Sequence, residues 1–173
     1  MCKLMFRELK ADEIDVRVAQ INAKGAVLLL YKDARCDMNI LDETVGAYNW
    51  KRHHTRENAN CVVSLWDDTK KEWISKEDTG TESFTEKEKG LASDSFKRAC
   101  FNWGIGRELY TAPFIYVPAD KIKIEEKNSK YTTYDKFYVE KIAYDDNRQI
   151  TGLSIKNQNG KRVFVYNNDK KGE

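Results

Sequence analysis

The chain has 173 residues, 40% of them hydrophobic and 34% charged, with 30 Lys and Arg against 28 Asp and Glu and a net charge of +2. That composition can bury one core and excludes the disordered class, but a balance so near neutral gives no bulk-charge argument for nucleic acid, so any such site has to come from local clustering. No run approaches the roughly 18 apolar residues of a membrane span, the start MCKLMFRELKADE has no leader-like apolar run, and Cys2, Cys36, Cys61 and Cys100 form no CxxC pair, so a cytoplasmic protein with reduced thiols is expected, with no membrane, metal or cofactor.

From Ile14 to Ile21 apolar and polar residues alternate, the period of a half-buried strand. Ala23, Lys24 and Gly25 supply a turn into the apolar run Ala26 to Tyr31, and the two segments predict a hairpin. Met38, Leu41 and Val45 then recur at helical steps before Gly46, which predicts a short helix. Asn49 to Arg56 is expected as a strand, and it carries Lys51, Arg52 and Arg56 without an acidic residue.

Cys61 to Trp66 and Glu72 to Ser75 flank a polar connection and predict a second hairpin. Thr85 and Glu88 form an S/T-x-x-E capping signature, and Gly104 stands where a helix ends, so a helix is predicted from about Glu86 to Trp103. Pro113 and Pro118 close the helical region, and the charged stretch Lys121 to Lys130 predicts a linker or a hairpin arm. A composition boundary near Asp120 divides the chain into 1–118 and 119–173; in the second part Lys136 to Tyr144, Ile150 to Ile155 and Arg162 to Tyr166 predict a three-stranded meander.

On a helical wheel Ala92, Phe96, Ala99, Cys100 and Trp103 form one stripe that should pack on the sheet, with Lys97 and Arg98 outside it and Phe101 towards the far side. Those cations and that ring suit a phosphate chain and a base; equally, they are what an ordinary solvated helix face carries. The basic strand has the same two readings, a nucleic-acid contact or edge protection. His53 and His54 point to opposite sides of a strand, which defeats shared metal ligation, and neither a Walker A loop nor a dinucleotide loop is present.

The run Ala92-Ser-Asp-Ser-Phe-Lys97-Arg98-Ala-Cys-Phe101-Asn-Trp-Gly104-Ile-Gly-Arg-Glu-Leu-Tyr110 resembles the main-helix signature of RAD fifty-two-type annealing proteins, including DdrA-like and phage members. Upstream, Tyr31-Lys-Asp-Ala-Arg35, a short helix, Gly46 and Trp50 resemble the same family's hairpin, arginine, helix and Gly-to-Trp passage. The resemblance covers about Phe6 to Tyr116. It implies an α+β fold, an antiparallel sheet packed on a long helix in the order β-β-α-β-β-β-α; the meander after Asp120 matches no motif of that family and is expected as a C-terminal β appendage.

It also implies a homo-oligomeric ring that holds single-stranded DNA and promotes ATP-independent annealing in homologous recombination and double-strand-break repair. Such a protein is not an enzyme, and a recombinase or a single-strand-binding protein is a further expected partner. Lys97 and Arg98 would hold phosphates, Arg35 would add a third positive contact, and Lys51 and Arg52 would extend the track. Some members place another basic residue where this chain has Phe101, and a groove tyrosine at Ala47, next to which stands Tyr48. The alternatives are an oligomeric structural or partner-binding protein of the same fold and, third, a metal-dependent nuclease.

Overall fold

In the computed structural model, which describes residues 4–81 and 87–168, the chain is a mixed α+β protein with antiparallel sheets and two helices among the described residues. The elements in chain order are β1 (Asp15–Asn22), β2 (Gly25–Tyr31), α1 (Ala34–Val45), β3 (Trp50–Thr55), β4 (Asn60–Asp67), β5 (Glu72–Thr79), α2 (Lys87–Trp103), β6 (Ile115–Pro118), β7 (Glu125–Lys127), β8 (Lys130–Thr132), β9 (Phe137–Tyr144), β10 (Ile150–Asn157) and β11 (Arg162–Asn167). Single 3-10 turns lie at Ala11–Glu13 and Arg107–Thr111. The capping signature at Thr85 and Glu88 and the expected helix start at Glu86 lie outside the described residues and side chains.

Contacts divide the chain into two compact units. The first joins the N-terminal stretch ending at Glu8 to Asp33–Arg107, and the second joins Leu9–Lys32 to the chain from Glu108 onward. The sheet of the first unit is three-stranded in the order β3-β4-β5. Trp50 pairs with Leu65 and Leu65 with Ile74, and the register runs without a slip to Thr55, Asn60 and Thr79.

Because side chains alternate across a strand, this register gives the sheet two chemically different faces. One carries Trp50, Arg52 and His54 on β3, Cys61, Val63 and Leu65 on β4, and Ile74, Lys76 and Asp78 on β5. Helix α2 packs against β4 and β5 on this side, where Cys61, Val63, Leu65, Phe96, Ala99 and Cys100 are all buried. Gly80, just past β5, makes a close approach: a Cβ there would come within 2.6 Å of the Ser95 amide nitrogen on α2. Any larger residue would push the strand end off the helix.

Helix α1 starts at Asp33, whose carboxylate accepts from the Cys36 amide at 3.0 Å, and ends at Gly46, which takes a φ of 83°. Its buried stripe is Cys36, Asp37, Ile40 and Leu41. The expected apolar positions Met38 and Val45 are only half-buried, so the helix lies rotated by about one position from the reading by apolar residues alone.

The second unit is a six-stranded sheet in the order β11-β10-β9-β1-β2-β6, with β7 and β8 forming a separate two-stranded hairpin. The expected meander is present as β9, β10 and β11, but it shares this sheet with the N-terminal hairpin β1-β2. A boundary at 118 and 119 therefore falls inside the second unit rather than between the two. The physical cause is strand β6, where Ala26 pairs with Val117 and Leu28 with Ile115, all four buried. Gly25 permits that pairing, since a Cβ would meet the Tyr116 ring, whose hydroxyl donates to the Lys24 carbonyl at 2.9 Å.

Candidate nucleic-acid interface

All seven residues singled out by the sequence lie in the first unit. The passage that presents β3 is held by backbone and side-chain hydrogen bonds. Gly46 donates to Asp42 at 3.0 Å, the Asn49 side chain donates to Val45 at 2.7 Å, and the Trp50 indole donates to the Asp42 carboxylate at 2.6 Å. Trp50 then stacks on Phe96 of α2 at 6.1 Å between ring centres. Tyr48, on the turn between them, projects into solvent at 96% exposure.

Arg52 lies beside the Trp50 and Phe96 pair, its guanidinium 4.7 Å from the Phe96 ring centre. Neither Arg52 nor Lys51 has an ion-pair partner among the described residues. They project from opposite faces of β3, so the two cations do not form one patch. Lys51 instead sits 4.1 Å over the ring of Trp73, on the face away from α2.

On α2, Lys97 is half-buried and has no hydrogen-bond or ion-pair partner among the described residues. Arg98 differs: its Nε lies 3.4 Å from Asp78 of β5 with no hydrogen bond satisfying it. The distance and the missing hydrogen bond describe an electrostatic pair of poor alignment, one that competing anions can displace. Arg35, 83% exposed, donates from Nε and an Nη to a single oxygen of Asp33 at 3.0 and 2.8 Å. Burial raises the Asp33 pKa, but the Cys36 amide and Arg35 outweigh it and hold the carboxyl below its usual value. Phe101 is half-buried, and its carbonyl accepts from Arg107 at 2.7 and 3.0 Å.

The β3-β4 turn continues from the basic strand and sets Glu57 beside Arg56. Arg56, Glu57 and Asn58 take successive φ values of 51°, 51° and 72°, a left-handed run that costs non-glycine residues energy. The turn is held by the buried Ser95 hydroxyl, which donates to the Asn58 carbonyl at 2.9 Å, and by Gly80, which donates to Ala59 at 2.8 Å. Ser95 also lies 3.4 Å from His54 Nδ1. Burial first, then the positive charges of Arg52 and His53, push His54 below its ordinary pKa, so at neutral pH it adds no charge to the cluster.

Residues not singled out by the sequence also shape this region. Trp66 and Trp73 face each other across β4 and β5, their ring centres 5.6 Å apart in an edge-on arrangement. Their equal distance from the polar turn 68–71 is the sequence signal that marks them as a cross-strand pair. Lys76 lies 4.7 Å over Trp103 and donates to the Asn102 carbonyl at 2.7 Å; nothing in the local sequence points to it.

Cys36, Cys61 and Cys100 are buried thiols outside any disulfide, and burial pushes the Cys61 thiol up to about 11, which makes it a packing residue at neutral pH. Among the described residues no three His, Cys, Asp or Glu side chains gather to hold a metal ion, and no helix is long and apolar enough to cross a membrane. Comparisons with family models, with curated proteins and with solved structures found no match to this chain.

Proposed function

We propose that this chain is a single-stranded DNA-binding protein of the RAD fifty-two type that promotes ATP-independent annealing in homologous recombination and double-strand-break repair. In this reading α2 is the family's long helix, the β-β-α-β-β-β-α order is the family's topology, and copies of the chain assemble into a ring. The observation that carries it is Lys97, a cation without a carboxylate partner on the helix whose Lys-Arg signature prompted the resemblance. Beside it, Arg98 is held only by a loose pair at 3.4 Å.

The chemistry fits the task. Cations that hold phosphate and sugar carry no sequence information and leave base edges free to find a complement. Arg35 and Arg98 each have an exposed or half-exposed partner, and such pairs contribute only about 0.2–1 kcal/mol. A phosphate can take over each of them at little cost. Arg52 and Tyr48 extend the contact on the α1-β3 side.

A second reading, an oligomeric structural or partner-binding protein without DNA activity, draws on those same ion pairs, because charges already matched within the chain need no outside anion. Annealing of two complementary oligonucleotides without nucleotide separates the two. The DNA reading predicts acceleration that fades as salt is raised, because phosphate contacts release counterions. Annealing no faster than in buffer, together with an oligomeric native mass, would favour the structural reading.

A further inference from the structure

The face of the three-stranded sheet turned away from α2 has no role in the phosphate contacts proposed above, and its composition is unusual for a bare surface. Lys51, His53 and Thr55 on β3 and Trp73, Ser75, Glu77 and Thr79 on β5 all lie exposed on it, flanking Val62, Ser64 and Trp66 of the central strand. At one end Trp66 and Trp73 meet edge-on at 5.6 Å, with Trp73 still 37% exposed and the Lys51 ammonium 4.1 Å above it. Next to them the Ser64 and Ser75 hydroxyls share a 2.8 Å hydrogen bond. Asp68, in the β4-β5 turn, is paired with Lys71 at 2.7 Å, and Glu77, further along this face, accepts from the Asn60 side-chain amide at 3.0 Å.

We propose that this face is a base-stacking platform for a single-stranded nucleic acid, with Trp73 as the stacking ring, Trp66 as its brace and Lys51 as a cation that moves from the ring to a phosphate when a base arrives. The proposal rests on the nucleic-acid reading above but concerns the opposite face of the sheet from α2. The exchange is favourable by magnitude. A lysine over an exposed ring is worth roughly 2- to 5-fold in an equilibrium constant, while stacking a base on an aromatic side chain is worth roughly 5- to 150-fold. The displaced ammonium is also not stranded, since a stacked base brings its own phosphate within reach of a flexible lysine stem.

A nucleic-acid strand fits better than a protein partner because the corner combines a polarised ring pair, a cation and hydroxyls, while Asp68 in the adjoining turn is already paired with Lys71. An aliphatic docking surface would need apolar neighbours, and Val62 is the one aliphatic side chain on this face. Trp66 held edge-on fixes the plane of Trp73, so the ring meets an incoming base with little entropy left to lose.

The test uses the full chain and two probes of about 20 units, a thymidine oligomer and an abasic oligomer with the same phosphates. Trp73→Ala should lose roughly 5- to 150-fold in affinity for the thymidine oligomer and leave the abasic affinity unchanged. Trp73→Phe should fall between, and it carries the test if the alanine variant does not fold. Lys51→Gln should weaken binding of the thymidine oligomer more than that of the abasic oligomer, which brings no base to displace the ammonium from Trp73. Full thymidine affinity in both Trp73 variants would reject the platform while leaving the DNA reading intact. Failure of the unaltered protein to bind either probe would remove both. An equal loss on both probes, or a changed native mass in the Trp73 variants, would overturn the platform in favour of an interface between copies.

Discussion

Two neighbouring cations on α2 differ in what already holds them, and that difference predicts unequal behaviour. Lys97 has no partner among the described residues, whereas Arg98 shares its charge with Asp78 at 3.4 Å. If both grip phosphates, Asp78 competes with the DNA for Arg98. Asp78→Asn should therefore tighten single-strand binding by roughly 1.4- to 5-fold at low salt, the equilibrium equivalent of an exposed ion pair, read by fluorescence anisotropy. Unchanged affinity would mean that Arg98 does not touch the strand. The identity of these residues was legible in the sequence, because the Lys-Arg pair sits outside the apolar stripe of α2. The Asp78 pairing was not, since it depends on the register of β5, which places Asp78 on the face that α2 covers.

Among the elements, the hairpins and the meander could be read from alternation and turn residues, but two features could not. Strand β6 was hidden by Pro113 and Pro118, which signal an end; Pro118 closes an edge strand, where a missing N–H leaves no ladder bond unmade. The brace across the meander was hidden for a different reason, since its three members come from three strands. Glu140 of β9 accepts from Arg162 of β11 at 2.6 and 2.9 Å and from Ser154 of β10 at 2.9 Å. Arg162 first, then Ser154, hold the Glu140 carboxyl at about 2, down from 4.5. A carboxyl depressed in the folded state favours folding above its unfolded pKa, and that contribution drains away as the pH falls from 4.5 towards 2. Glu140→Gln should thus lower the melting temperature at pH 7 and flatten its decline across that acid window. A variant that melts with the unaltered protein at both ends would show that the brace contributes nothing.

At the scale of the molecule, the two units interleave along the sequence: the chain leaves the second at Lys32 and returns to it at Glu108. The composition change near Asp120 marks where charged residues thicken, not where a unit begins. The pairing that decides the division, Gly25–Leu28 with Ile115–Pro118, joins segments too far apart in sequence for any local pattern to reveal. The candidate site was more legible because it is built almost entirely within Asp33–Arg107. The central claim is that cations of α2 in this unit hold a sugar-phosphate chain. It is tested most directly by the salt dependence of single-strand affinity for the unaltered protein and for the Lys97→Ala, Arg98→Ala double variant. Each phosphate contact on a single strand contributes about 0.7 to the slope of log affinity against log salt, so the double variant should be shallower by about 1.4 and weaker across unrelated sequences alike. Equal slopes for the two proteins would contradict the account.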